Sequence, residues 1–106
     1  MTQPAGFRCA GLANLAPGGF ELRMVEERKV LVARAQDGQY HAVAPICSHA
    51  LLSLEGGRVR GGAIVCPHHG ARFCLKTGRA LGPPAMAGIA AYPTRIVGSR
   101  VEIWPL

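Results

Sequence analysis

An all-β domain of short antiparallel strands, closed as a sandwich or a barrel, is the fold class this chain predicts. Fourteen glycines and eight prolines in 106 residues are too many for long helices. Short β-prone runs recur along the chain, separated at fairly regular intervals by Gly, Pro, Asp and Asn. No stretch of useful length carries a helical apolar period.

Taken in order, 20–25 and 30–34 read as strands, and Gln36-Asp37-Gly38-Gln39 turns the chain into a third at 40–44. Asp-Gly supplies the positive φ that a tight hairpin needs. Residues 58–60 and 63–65 flank Gly61-Gly62, 71–75 and 79–81 flank Lys76-Thr77-Gly78, and 95–97 and 100–104 flank Gly98-Ser99. Each of these pairs predicts a short hairpin. Neither a repeat nor a linker divides the chain, so residues 1–106 are expected to form a single domain with no room for a second, catalytic one.

A chain this short buries a thin core and benefits from a staple, for which four cysteines and four histidines are candidates. Residues 1–19 lack the basic start and unbroken apolar run of a signal peptide, and Pro4, Gly6, Gly11 and Pro17 interrupt them. No segment reaches the length of a membrane span. A cytoplasmic location with no membrane association is the simplest expectation, and in that reducing compartment cysteines serve as metal ligands or free thiols more often than as bridges.

Twelve Lys and Arg against six Asp and Glu give a net charge of +6. No acidic residue lies between Glu55 and Glu102, a stretch that holds Arg58, Arg60, Arg72, Lys76 and Arg79. Such a region is either a solvated basic face or a surface that draws acidic partners. Nucleic acid is not the expected partner, because the six aromatic residues are scattered and no helix-turn-helix, zinc-finger or RNA-recognition pattern is present.

The chemistry is concentrated in two loops, Cys47-Ser48-His49 and Cys66-Pro67-His68-His69-Gly70, with sixteen residues between His49 and Cys66. The intervening β-excursion returns on itself, so one thiolate and one imidazole from each loop tip can share a metal centre. Two sulfur and two nitrogen donors suit tetrahedral zinc, or a [2Fe–2S] cluster with Cys on one iron and His on the other.

Cys-x-His followed after sixteen residues by Cys-x-x-His resembles the ligand motif of Rieske proteins, and the surrounding text resembles it too. Ala44-Pro45-Ile46 and Leu54-Glu55-Gly56-Gly57 flank the first loop, while His69-Gly70-Ala71-Arg72-Phe73, Thr77-Gly78 and Pro83-Pro84 follow the second. The resemblance spans essentially the whole chain and is strongest from Ala44 to Pro84. It implies a Rieske-type antiparallel β-sandwich with a small cluster-binding subdomain, about 44–84, made of two ligand loops. It further implies one [2Fe–2S] cluster held by Cys47 and Cys66 on one iron and His49 and His69 on the other. His68 spells the shorter Cys-x-His spacing, but the family's second loop uses the longer one, which selects His69. His68 is then a loop-surface residue and His41 a packed or half-exposed imidazole.

Two neutral imidazoles in place of two thiolates leave the cluster less negative, so its potential rises above that of all-cysteine ferredoxins. High-potential respiratory members add a disulfide between the ligand loops, and the corresponding positions here are Leu52 and His68. Ala71 stands where those members place a hydroxyl. The resemblance therefore implies a low-potential centre, with Pro83-Pro84 as a rigid loop covering the cluster from a third side. Cys9 and Cys74 could pair in principle, but Cys74 falls in a strand position and Cys9 near the start of the chain, so both are expected as free thiols.

The function so implied is that of a one-electron carrier and not an enzyme: a ferredoxin that docks transiently on an NAD(P)H-dependent flavoprotein reductase and on a terminal, ring-hydroxylating type oxygenase. The basic residues 58, 60, 72, 76 and 79 would guide that docking. The small subunit of an assimilatory nitrite reductase is one rival, and a zinc-stabilised interaction module is another. A complete Rieske oxygenase also needs a mononuclear iron held by two histidines and a carboxylate, for which only His41 and His68 remain.

Overall fold

The computed structural model describes residues 6–48 and 51–104, and every regular element among them is a strand. In chain order these are β1 (Arg8–Leu12), β2 (Phe20–Val25), β3 (Arg28–Arg34), β4 (Tyr40–Val43), β5 (Arg58–Arg60), β6 (Ala63–Val65), β7 (Arg72–Cys74), β8 (Ala91–Tyr92), β9 (Thr94–Val97) and β10 (Arg100–Ile103). They form three antiparallel sheets, ordered β1-β10-β9, β2-β3-β4-β8 and β5-β6-β7.

The sequence explains why β3 lies at the centre. Val30, Leu31, Val32 and Ala33 form a continuous apolar run, the mark of a strand covered on both faces, and all four are fully buried. Side chains alternate across the sheet. Leu31 and Ala33 enter one core with Val59, Ile64 and Phe73 of the third sheet, and Val30 and Val32 enter a second with Ala10, Val101 and Ile103 of the first. The middle sheet is thus sandwiched between the other two.

Turn chemistry sets the hairpins. Gly38 takes φ of 92° between β3 and β4, where its N–H donates to the Ala35 carbonyl (2.9 Å) and Asp37 accepts from the Gln39 N–H (2.9 Å). The β5–β6 and β9–β10 hairpins close at the expected glycines. After β7, 79–81 does not continue as a strand. It keeps a single bridge, Phe73 to Ala80, because Gly78 N donates to Cys74 O (2.7 Å) while Ile89 N caps Gly78 O (2.8 Å) and draws the chain away.

Two strands have no counterpart in the sequence reading. β1 pairs with β10 from the opposite end of the chain, and β8, only two residues long, pairs with β4. Arg23 on β2 ties β1 down, donating from Nη1 to the carbonyls of Ala10 (2.8 Å) and Leu12 (2.7 Å), from Nη2 to Asn14 Oδ1 (3.0 Å) and from Nε to Glu21 (2.7 Å). No helix of the described residues is long and apolar enough to cross a membrane.

Candidate metal centre

The first expected ligand loop joins β4 of the middle sheet to β5 of the third, and the second joins β6 to β7 within the third. The first hangs from the chain after β4, where Ile46 bridges Ser53 and Leu54 N donates to Pro45 O (2.7 Å). The second follows β6. Gly57 lets the two approach, since a Cβ there would fall 2.1 Å from the carbonyl oxygen of Val65, the residue before Cys66.

The loops share one backbone design. Cys47 N donates to Leu52 O (2.8 Å), and Cys66 N to Ala71 O (2.7 Å), each pairing a cysteine with the residue five further on. Within each ring Leu51 N donates to Cys47 O (2.8 Å) and Gly70 N to Cys66 O (3.2 Å), pairing the residue four further on with the cysteine carbonyl. Both of those residues sit in the left-handed region, Leu51 at φ 54° and Gly70 at φ 73°. A glycine does this without strain and a leucine does not.

Cys47 and Cys66 are buried in one apolar cluster with Leu54, Ala71 and Phe73, and their thiols lie within hydrogen-bonding reach of each other. Burial pushes the Cys66 thiol up, and the Cys47 thiol acts the same way, against the backbone N–H groups of His68 and His69 that donate to the Cys66 sulfur. Two adjacent buried sulfurs, one of them already facing amide donors, fit a sulfur-ligated metal group. Hydrogen bonds to sulfur are among the features that tune such groups.

Of the four expected ligands, Cys47, Cys66 and His69 lie in the described loops, with His69 exposed beside His68. His49 lies outside the described residues. A third loop completes the site: Ala85 joins the cluster that holds both cysteines, and the Ser48 hydroxyl donates to the Ala87 carbonyl, joining this loop to the first. His41 is half-buried on β4, where burial lowers its pKa, Asp37 opposes that and Lys76 adds to it.

The remaining cysteines are unpaired. Cys74 is half-buried at the end of β7 and accepts from the Thr77 hydroxyl and from the amides of Thr77 and Lys76. Burial alone would raise its thiol, and these donors together with Lys76 bring it below its ordinary value. Its sulfur thereby holds the turn that follows β7.

One feature of the site carried no signal in the sequence reading. Nine large apolar side chains are exposed among the described residues, and five of them stand near the paired thiols: Ile46, Leu51 and Leu52 on the first loop, and Leu81 and Met86 on the segment between β7 and β8. Leu51 and Met86 are the most exposed, at 77% and 93%. Single exposed apolar residues are ordinary, but a group ringing one site marks a contact surface.

Comparison with known proteins identifies the family. The chain is 37% identical over 87 residues to the ferredoxin component of the naphthalene 1,2-dioxygenase system of Pseudomonas aeruginosa, covering 82% of this chain and 84% of that one. It is 38% identical over 88 residues to the 3-phenylpropionate/cinnamic acid dioxygenase ferredoxin subunit of Shigella boydii serotype 4 (strain Sb227), covering 82% of each. Among solved structures, the ferredoxin of carbazole 1,9a-dioxygenase from Nocardioides aromaticivorans IC177 superposes with a TM-score of 0.82 at 31% identity, over 93% of this chain and 96% of that one. A chain of the complex of reduced oxygenase and oxidized ferredoxin in carbazole 1,9a-dioxygenase matches with a TM-score of 0.79 at 26% identity, over 90% of this chain and 98% of that one. The Rieske [2Fe-2S] domain family matches residues 7–93, and with the paired thiols of Cys47 and Cys66 at the heart of that match, this chain belongs to the Rieske [2Fe–2S] family.

Proposed function

We propose that this chain is the ferredoxin component of a ring-hydroxylating type oxygenase system, carrying single electrons from an NAD(P)H-dependent flavoprotein reductase to a terminal oxygenase. It is an electron carrier and not a catalyst, as its relatives are named ferredoxin components and subunits of dioxygenase systems. When bound, a Rieske [2Fe–2S] cluster supplies a one-electron couple at a potential above that of all-cysteine clusters.

Cys47 and Cys66 hold one iron in this reading and His49 and His69 the other. The observation that carries it is the pair of buried, adjacent thiols presented by two loops of one hydrogen-bonding design. The amides of His68 and His69 fix the orientation of the Cys66 sulfur, and Ala85 with Leu54 keeps water from the sulfur side. The exposed position of His69 suits an exit for electrons, and the apolar ring of Leu51, Leu52 and Met86 suits a partner that sheds water on contact. The centre is of the low-potential kind, since Leu52 and His68 cannot form a loop disulfide and Ala71 offers no hydroxyl. Residues 1–106 act as one domain with its cluster-binding part at about 44–84, in the cytoplasm, where unpaired cysteines persist.

Electron paramagnetic resonance of the dithionite-reduced protein tests the reading. The expected result is a rhombic Rieske spectrum with an average g below that of all-cysteine clusters, lost in His69→Ala and kept in His68→Ala. A colourless, silent protein containing stoichiometric zinc would overturn it.

A further inference from the structure

We infer that the outer face of the β5-β6-β7 sheet is a docking surface for a carboxylate-rich face of a redox partner protein, distinct from the apolar ring around the ligand loops. The inference rests on the electron-carrier reading above and adds to it where and by what chemistry an acidic partner is met.

The sheet register makes the face. Val59, Ile64 and Phe73 are cross-strand partners and all three point into the core. The rows on either side, Arg58-Val65-Arg72 and Arg60-Ala63-Cys74, therefore point away from it. Arg58 and Arg72 stand two strands apart, about 10 Å, with Arg60 about 7 Å along β5 from Arg58. All three arginines are exposed, while Val65 and Ala63 between them are buried under 10% exposure, covered by their neighbours. Long arginine stems are able to cover apolar residues in this way.

The charge on this face is uncompensated. The ion pairs among the described residues are Arg8–Glu26, Arg23–Glu21, Arg95–Glu102 and Arg100–Glu102, all outside the third sheet. Arg72 donates to the Leu81 carbonyl (2.9 Å), which positions it without neutralising it. Glu55, three residues before Arg58, is the nearest carboxylate along the chain on that side. An arginine with no internal counter-charge pairs with a carboxylate through two parallel N–H···O bonds.

The face also reaches the metal centre. A cleft of about 330 Å³ opens at its edge, lined by Arg58 and Val65 of the outer row together with Gly56, Gly57, Cys66 and Gly70. A partner seated on the arginines thus meets the cleft that Cys66, Pro67 and Gly70 of the second ligand loop help to line. No aromatic residue stands in the outer rows, so the face lacks the stacking platforms of single-strand nucleic-acid binders.

The test uses the cluster-loaded full chain and fluorescence anisotropy with labelled poly-L-glutamate as the carboxylate probe. Two variants of equal total charge are compared: R58E/R72E on the face, and R28E/K29E at the exposed start of β3. The expected result is about tenfold weaker binding in R58E/R72E and less than about threefold in R28E/K29E, with unchanged cluster absorption in both. Equal weakening in the two variants would overturn the proposal, because binding would then follow net charge alone. Tighter binding of a DNA duplex than of poly-L-glutamate, lost in R58E/R72E, would overturn it in favour of a phosphodiester ligand. Failure of the electron-carrier reading is separately visible as wild-type protein without a [2Fe–2S] spectrum, while the probe still reports whether the arginines form a carboxylate site.

Discussion

Left-handed backbone at Leu51 and Gly70 offers a matched pair of residue-scale tests. A Cβ added at Gly70 meets nothing within 4 Å, so Gly70→Ala costs only left-handed strain, about 1–2 kcal/mol. At Gly78 a Cβ would lie 1.9 Å from the Ile89 carbonyl oxygen, and the substitution Gly78→Ala costs more than strain because the turn and the third loop must part. Urea denaturation should separate the two variants clearly. Leu51→Gly relieves strain and gives up little burial, so it leaves stability unchanged or raises it by up to about 1 kcal/mol. The same variant should slow electron delivery to a protein partner, since it deletes a 77% exposed apolar side chain of the ring. His41 gives a pH signature. Burial depresses its pKa from the ordinary 6.5, Asp37 opposing and Lys76 reinforcing, so the unfolded chain binds the proton more readily. Stability is therefore full above that value and declines as pH falls through it, and His41→Gln should remove this part of the slope in denaturation series run from about pH 8 to pH 5.

Strands and hairpins were legible in the sequence wherever a turn residue announced them. Asp37-Gly38, Gly61-Gly62 and Gly98-Ser99 each need local chemistry only, and the β3–β4, β5–β6 and β9–β10 hairpins close there. β1 was not legible because its partner β10 lies at the far end of the chain, and its anchor is the side chain of Arg23 on a different sheet. The spacing of Cys47 and Cys66 announced a joint site. The shared design of the two loops did not show, because one places Leu51 where the other places Gly70, and no propensity rule puts leucine at positive φ. Arg23 also carries the element-scale prediction. Its guanidinium holds Ala10, Leu12, Asn14 and Glu21 at once, a fork that an ammonium cannot reproduce. Arg23→Lys should cost about 1–3 kcal/mol and speed amide exchange in β1 while leaving the β5–β6 hairpin unchanged.

At the scale of the whole molecule, two cores meet on the opposite faces of β3 and differ in what they depend on. The core shared with β1 and β10 contains Ala10, Val25, Val30, Val32, Ala42, Val101 and Ile103, none of them a candidate ligand. The other contains Cys47 and Cys66 themselves, together with Leu54, Ala71 and Ala85 from the three loops. A metal group bound by those cysteines staples the second core and leaves the first untouched, because binding free energy enters folding only where the ligands are held. Removing the cluster with a chelator under reducing conditions should therefore loosen one side of the sandwich. Hydrogen exchange is expected to accelerate at Cys66 and Gly70, whose amides close the second loop, and at Cys47 and Leu51, which close the first. The amides pairing β1 with β10 and β9 with β10 should keep their protection. Uniform acceleration across all three sheets would instead mean that the two cores unfold as one cooperative unit, with β3 transmitting the loss from one face to the other.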